Sequence, residues 1–213
     1  MIRSRAFRPG IGLLRQLVGV ALTVLALLWS RGADAQIKQP GAHPRYSLEL
    51  DPHLVIQHAN GPFLDDEGWG VGFRASIPFV HNGPIPQINN NMGISFGGDL
   101  AFFDDDAGCR SRENTLLGDE CDGTSLWLPV TFQWNFFFTK IVGAFFEIGP
   151  AISYWSQDWV DDCNGDPCER SASDLDLFDG AVFVGGRFLF GERVGMTVRL
   201  GYPYVSIGAT FLM

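Results

Sequence analysis

Lysine is nearly missing from this chain of 213 residues, where only Lys38 and Lys140 occur. Soluble domains ordinarily set lysine on their wet faces, so its scarcity points to strand faces that do not meet water. Beyond residue 35 no stretch is apolar for the roughly 20 residues that a membrane-spanning helix needs, which excludes a helical membrane protein. No glycine-rich nucleotide-binding motif occurs, and many of the 26 glycines fall instead within the alternating runs. Histidine is sparse, at His43, His53, His58 and His81, and none stands near the cysteines, so a zinc site built on them is disfavoured.

What is present begins with a secretion signal. Arg3, Arg5, Arg8 and Arg15 precede an apolar run from Leu17 to Trp29, and Ala33-Asp34-Ala35 follows. A basic region, a short apolar core and an A-x-A site predict a signal peptide over residues 1–35, and no lipid-attachment cysteine follows the core. Of 15 basic and 24 acidic residues, five Arg (Arg31 included) and Asp34 lie in that segment. The mature chain therefore keeps ten basic and 23 acidic residues, a net charge of −13. Nucleic acid is excluded as a partner of such a surface. The four cysteines, Cys109, Cys121, Cys163 and Cys168, would enter an oxidising compartment, so disulfides are expected. Four cysteines allow three connectivities. Cys109–Cys121 and Cys163–Cys168 are preferred because both close short loops.

From residue 46 onward the chain alternates apolar and polar side chains with period two, the signature of half-buried strands. Eight such runs are legible. They carry Tyr46, Leu48, Leu50, Leu54 and Ile56; Trp69 to Phe79; Met92 to Phe102; Leu126 to Phe138; Val142 to Tyr154; Val182 to Phe190; Val194 to Tyr202; and Val205 to Met213. Each reaches the roughly 9–11 residues that a tilted transmembrane strand needs, and the count is even. The prediction is an all-β fold, an eight-stranded antiparallel up-and-down transmembrane β-barrel over residues 46–213, preceded by a short tail at 36–45. Both termini then share the periplasmic side. Thr139-Lys140-Ile141 and Gly191-Glu192-Arg193 read as periplasmic turns, and His81 to Asn91 as a longer one. Residues 59–67, 104–124 and 156–177 read as outer loops, with a tight last link from Gly201 to Tyr204.

The polar face holds Glu49, Asp51, Arg74, Asp99, Glu147, Arg187 and Arg199. One Arg at the lipid midplane costs roughly 2–4 kcal/mol, so these charges must face the lumen of a membrane barrel. An eight-stranded barrel is just wide enough for side chains to fill, which excludes a general porin. Glu147 is expected to meet Arg187 or Arg199, and Arg74 to meet Asp51 or Asp99. Gly185 is expected opposite Arg199, leaving room for its guanidinium. Tyr46, Trp69, Phe79, Phe102, Trp134, Phe138, Tyr154, Phe190, Tyr202 and Phe211 are expected in aromatic girdles at the two interfaces.

The final strand ends in Ser206-Ile-Gly208-Ala-Thr-Phe211-Leu-Met213. This resembles the C-terminal signal by which assembly machinery recognises outer-membrane barrels, with Met213 where the family usually has Phe. With the eight alternating runs, residues 45–213 resemble the small outer-membrane barrels of Gram-negative bacteria, the OmpA-transmembrane, OmpX and OmpW type. The resemblance implies an outer-membrane location, contact with lipid and lipopolysaccharide, handling by the barrel-assembly machinery and a monomer. It implies a structural or surface-interaction role without catalysis or cofactor. Three alternatives stay open: a narrow channel for small hydrophobic solutes, a lipid A-modifying enzyme centred on His58, and a soluble periplasmic barrel. The outer loops are acidic. Asp162, Asn164, Asp166 and Glu169 are spaced partly as in a calcium loop, but Pro167 stands where the glycine belongs.

Overall fold

Period-two alternation carries through into strands almost everywhere. The structure, a computed structural model, describes residues 36–58, 68–105, 109–110, 116–118, 121–163 and 166–213. The strands are β1 (Glu49–Gln57), β2 (Gly68–Val80), β3 (Asn90–Asp105), β4 (Cys109–Arg110), β5 (Leu116–Gly118), β6 (Cys121–Phe137), β7 (Val142–Cys163), β8 (Asp166–Leu189), β9 (Val194–Tyr202) and β10 (Tyr204–Leu212). Eight of them close into an antiparallel barrel in the order β1-β10-β9-β8-β7-β6-β3-β2, and β4 pairs with β5 apart from it. Closure joins the first strand to the last, with Leu50 opposite Phe211 and His53 opposite Gly208. The amides of Ser47 and Leu48 both donate to the carbonyl of Met213, at 2.6 and 3.1 Å.

The end where the chain enters β1 and leaves β10 is termed proximal here, and the opposite end distal. Short turns join β6 to β7 and β8 to β9 at the proximal end. Distally, β9 passes to β10 through Pro203 alone, after a cis Tyr202–Pro203 bond. In β9 the odd-numbered Thr197 and Arg199 are buried, whereas in β10 the even-numbered Tyr204 and Ser206 are, so the parity of the alternation switches across this link.

One distal segment departs from expectation. Residues 156–177 read as a loop, yet β7 continues to Cys163 and β8 begins at Asp166, so a long hairpin rises there. Asp174, Asp176 and Asp158 sit among its exposed residues. Both faces meet the same solvent beyond the barrel, so the polarity contrast that marks a half-buried strand is absent. A register shift between Ala151 and Ser153 sets the hairpin off from the barrel wall. The predicted outer loop at 104–124 is likewise mostly strand, taken up by the end of β3, by β4 and β5, and by the start of β6. The loop at 59–67, the segment 1–35 and the side chains around all four cysteines and Asp162 lie outside the described residues and atoms.

The proximal segment is more ordered than a tail. Residues 36–45 start with a 3-10 turn at Gln36–Lys38, and Gly41 turns the chain at a φ of +74°. The Asn89 amide donates to the Ile37 carbonyl at 2.7 Å. The His43 ring stacks on Phe137 with centroids 4.5 Å apart and bonds Asn89 Oδ1 through Nδ1 at 2.6 Å.

Candidate functional site

The centre of the molecule is the barrel lumen, and its residues arrive there by strand parity. Glu49, Asp51 and His53 come from β1, Arg74 from β2, Asp99 from β3, Gln133 and Asn135 from β6. Phe145 and Glu147 come from β7, Arg187 from β8 and Arg199 from β9. All of these are buried, the seven expected charges among them. On the same strands, the outward positions are exposed and apolar: Leu54 is 60 % exposed, Trp69 68 % and Val184 55 %. The polarity of a soluble barrel is inverted.

The charges assemble across strands that are not neighbours. Arg199 donates from Nη1 to Asp51 Oδ2 at 2.8 Å and from Nε to Glu147 Oε1 at 3.4 Å, thus linking β9 to β1 and β7. Arg187 pairs with Glu49, reaching from β8 to β1. Arg74 pairs with Asp99 at 2.8 Å and also donates to the Tyr204 hydroxyl. The remaining proton of that hydroxyl goes to Asp99 Oδ2 at 2.6 Å. His53 Nε2 meets Asp99 Oδ1 at 2.7 Å, while its Nδ1 lies 2.9 Å from the Asp51 carbonyl. Of the partners weighed from sequence, the structure brings Glu147 to Arg199 and Arg74 to Asp99.

Amides extend the network toward the proximal end. Gln133 Nε2 donates to Glu147 Oε1 at 2.8 Å, and Asn135 Nδ2 to Asn91 Oδ1 at 2.8 Å. Asn91 in turn donates to the Tyr46 hydroxyl at 3.2 Å. Neighbouring glycines make the long reach possible. A Cβ on Gly72, which lies opposite both His53 and Asp99, would collide with Asp99 Oδ1 and His53 Nε2.

Two expectations are corrected here. Gly185 does lie opposite Arg199, but the space over it holds the Phe145 ring rather than a guanidinium. Arg187 and Arg199 both lie over that ring, 5.5 and 5.2 Å from its centroid, in cation–π geometry. Tyr46 faces inward and is buried, so it does not belong to an interfacial girdle. Tyr202 is only half-buried and packs its ring edge-on against Trp127, at 6.1 Å and 90°. Trp69, Phe79, Phe102, Phe138, Tyr154, Phe190 and Phe211 are exposed on the outer wall.

Apolar layers bracket the ionic one. Val55, Trp127, Ala151, Ala181, Phe183 and Tyr204 form a buried cluster on its distal side. Tyr46, Phe137, Leu189 and Leu212 form another on its proximal side. Among the residues of the C-terminal signal, Ser206 is buried toward the lumen while Phe211 and Met213 are exposed on the wall. Gly208 lies between His53 and Thr197.

The histidines separate by environment. His53 belongs to the lumen network and His43 to the proximal mouth. His58 is exposed at the distal end, with its amide donating to the Pro203 carbonyl at 3.2 Å, and His81 is exposed in the β2–β3 connection. Among the described residues no group of three His, Cys, Asp or Glu has metal-binding geometry.

No protein-family model matches the chain, and no curated protein matches it in sequence. Among the solved structures similar to it are two of one protein. One is Ail, the attachment invasion locus protein of Yersinia pestis, in complex with the heparin analogue sucrose octasulfate, at 15 % identity over 78 % of this chain and 97 % of that one, with a TM-score of 0.41. The other is Ail crystallised without that complex, at 16 % identity over 79 % of this chain and 99 % of that one, with a TM-score of 0.38. With eight antiparallel strands closed on themselves, apolar residues outward and charges within, this chain has the architecture of a small outer-membrane barrel.

Proposed function

We propose that the protein is a monomeric integral barrel of the bacterial outer membrane, secreted with cleavage of residues 1–35, with a lumen plugged by side chains and a surface-interaction role without catalysis. The inverted polarity of the wall carries this reading. Bare Leu, Val, Phe and Trp cover the outside of the strands while three arginines and four carboxylates are sequestered inside. Hydrocarbon is the solvent that this arrangement suits, since each outward arginine would cost roughly 2–4 kcal/mol in a bilayer. The proximal end is then periplasmic and the acidic distal end external.

The interaction surface is the projecting hairpin. β8 pairs with β9 only from Val182 onward, so among the described residues Asp166–Ala181 has a strand beside it on the β7 side alone. Such an edge presents backbone donors and acceptors in a row and accepts an extended peptide as an added strand. Leu175, Leu177 and Phe178 are exposed on it, Phe178 at 89 %, between carboxylates at Asp174, Asp176 and Asp179. The ionic layer and its two apolar caps disfavour the narrow-channel alternative.

Two measurements test the reading. Fractionation should place the protein in the outer membrane with heat-modifiable gel mobility, and its release by osmotic shock would sink the membrane assignment. Planar-bilayer recording should give no discrete conductance steps, and regular steps would replace the plugged barrel with the channel.

A further inference from the structure

At the proximal mouth lies a cavity of about 470 Å³ whose lining is of two kinds. Arg45, Lys140 and Arg193 stand on its rim, all exposed, with Glu192 the single acidic side chain in the lining. Among the described residues none of the three cations has an ion-pair partner. Leu189 and Leu212, part of the proximal apolar cap, form its floor. Ile141 and Phe190 belong to the same lining yet face outward, Phe190 at 68 % exposure. The cavity thus runs from the mouth, between the β6–β7 and β8–β9 turns, onto the outer wall.

Charge is distributed to match. Both lysines of the chain, Lys38 and Lys140, sit at this end, whereas Asp122, Asp158, Glu169, Asp174 and Asp176 are exposed at the other. A free phosphate would need only the cations. An amphiphile uses all of the lining, with its phosphate among Arg45, Lys140 and Arg193 and its acyl chains along Ile141 and Phe190. We infer that this cavity binds the phosphate of a glycerophospholipid from the leaflet at the proximal end. The inference rests on the membrane reading above and adds a lipid site to it. Each basic side chain at a membrane surface contributes electrostatic attraction to an anionic headgroup.

The test uses the full chain folded in nonionic maltoside micelles, titrated with phosphatidylglycerol, with bound lipid counted by native mass spectrometry. The double variant Lys140→Gln/Arg193→Gln should bind the lipid roughly thirtyfold more weakly, as loss of two such cations implies. Heat-modifiable mobility of the variant should match the parent, and Arg170→Gln at the distal end should leave lipid binding unchanged. Diacylglycerol of the same chains should not bind, and glycerol phosphate should compete only at far higher concentration than the lipid. Equal lipid affinity of parent and folded double variant overturns the site. So does tight binding of diacylglycerol, or competition by glycerol phosphate as effective as the lipid's. Recovery of the protein in the soluble fraction is a separate result, which removes the membrane reading itself.

Discussion

Arg199 is the residue on which the lumen turns. Its guanidinium holds Asp51 and Glu147 together and lies over Phe145, with no exposure to solvent. Removing one member of a buried ion pair strands the others and costs about 3–5 kcal/mol. Arg199→Ala should lower stability by that order, read as the shift in urea midpoint of the protein in micelles, and an unmoved midpoint would show that the pairs contribute nothing. His43 sits outside the barrel wall, and burial holds its pKa below the ordinary 6.5. Its bond to Asn89 opposes that shift, while the charges of His81 and Arg45 add to it. The docked ring binds fewer protons than the undocked one, so docking is at full strength above about pH 6.5 and is lost as pH falls through the lower docked value. Exchange protection of the Asn89 amide, corrected for its intrinsic rate, should therefore fall on acidification, and His43→Phe should remove that dependence. The inward placement of the seven charges was legible in the sequence, because strand parity alone assigns a face. Of their partners, Asp99 was legible for Arg74 from the neighbouring strand, and Arg199 as one of two choices for Glu147, two strands away. Arg187 meets Glu49 across the lumen, and such a pairing depends on strand tilt and shear, which a linear pattern does not carry. Tyr204 and Phe145 escaped notice for a related reason: an aromatic at an inward position looks like a break in the alternation.

The β7–β8 hairpin is the element that least resembles its sequence. Its distal part has no partner strand from β9 or β10, and the ladder that closes the barrel begins only at Val182. Barrel closure should therefore be independent of it. Replacing residues 156–173 by Asn-Gly, which joins the paired Trp155 and Asp174 through a two-residue turn, should leave heat-modifiable mobility and the unfolding midpoint unchanged while weakening peptide capture, because only Asp174–Ala181 of the β8 edge remains. A barrel that no longer folds after this truncation would make the hairpin a structural member instead. The membrane-spanning parts of all eight strands were legible, since lipid on one side and a packed lumen on the other enforce a strict period. The hairpin's distal part was not, since water on both sides leaves the side chains unsorted. The segment at 36–45 was read as a tail because nothing periodic marks it, and only the stacking of His43 on Phe137 and the Asn89–Ile37 bond hold it across the mouth.

At the scale of the whole barrel, an ionic middle is enclosed between two apolar caps. Mobile ions screen exposed pairs within a Debye length of about 10 Å at 0.1 M salt, and they screen buried pairs far less. The unfolding midpoint in micelles should accordingly stay nearly constant between low salt and molar sodium chloride, and a steep decline would mean that electrolyte reaches the lumen. The tight passage through Pro203 has a further consequence at this scale. On that flank the wall stops as soon as β9 ends, whereas the adjoining β8 and β7 climb to Asp166 and Cys163. Among the described residues the distal rim is therefore lopsided, a low sill beside a tall mast. On the proposed surface-interaction reading, anything that grips the mast is held to one bearing around the barrel's axis, by a handhold with a direction and not a symmetric knob.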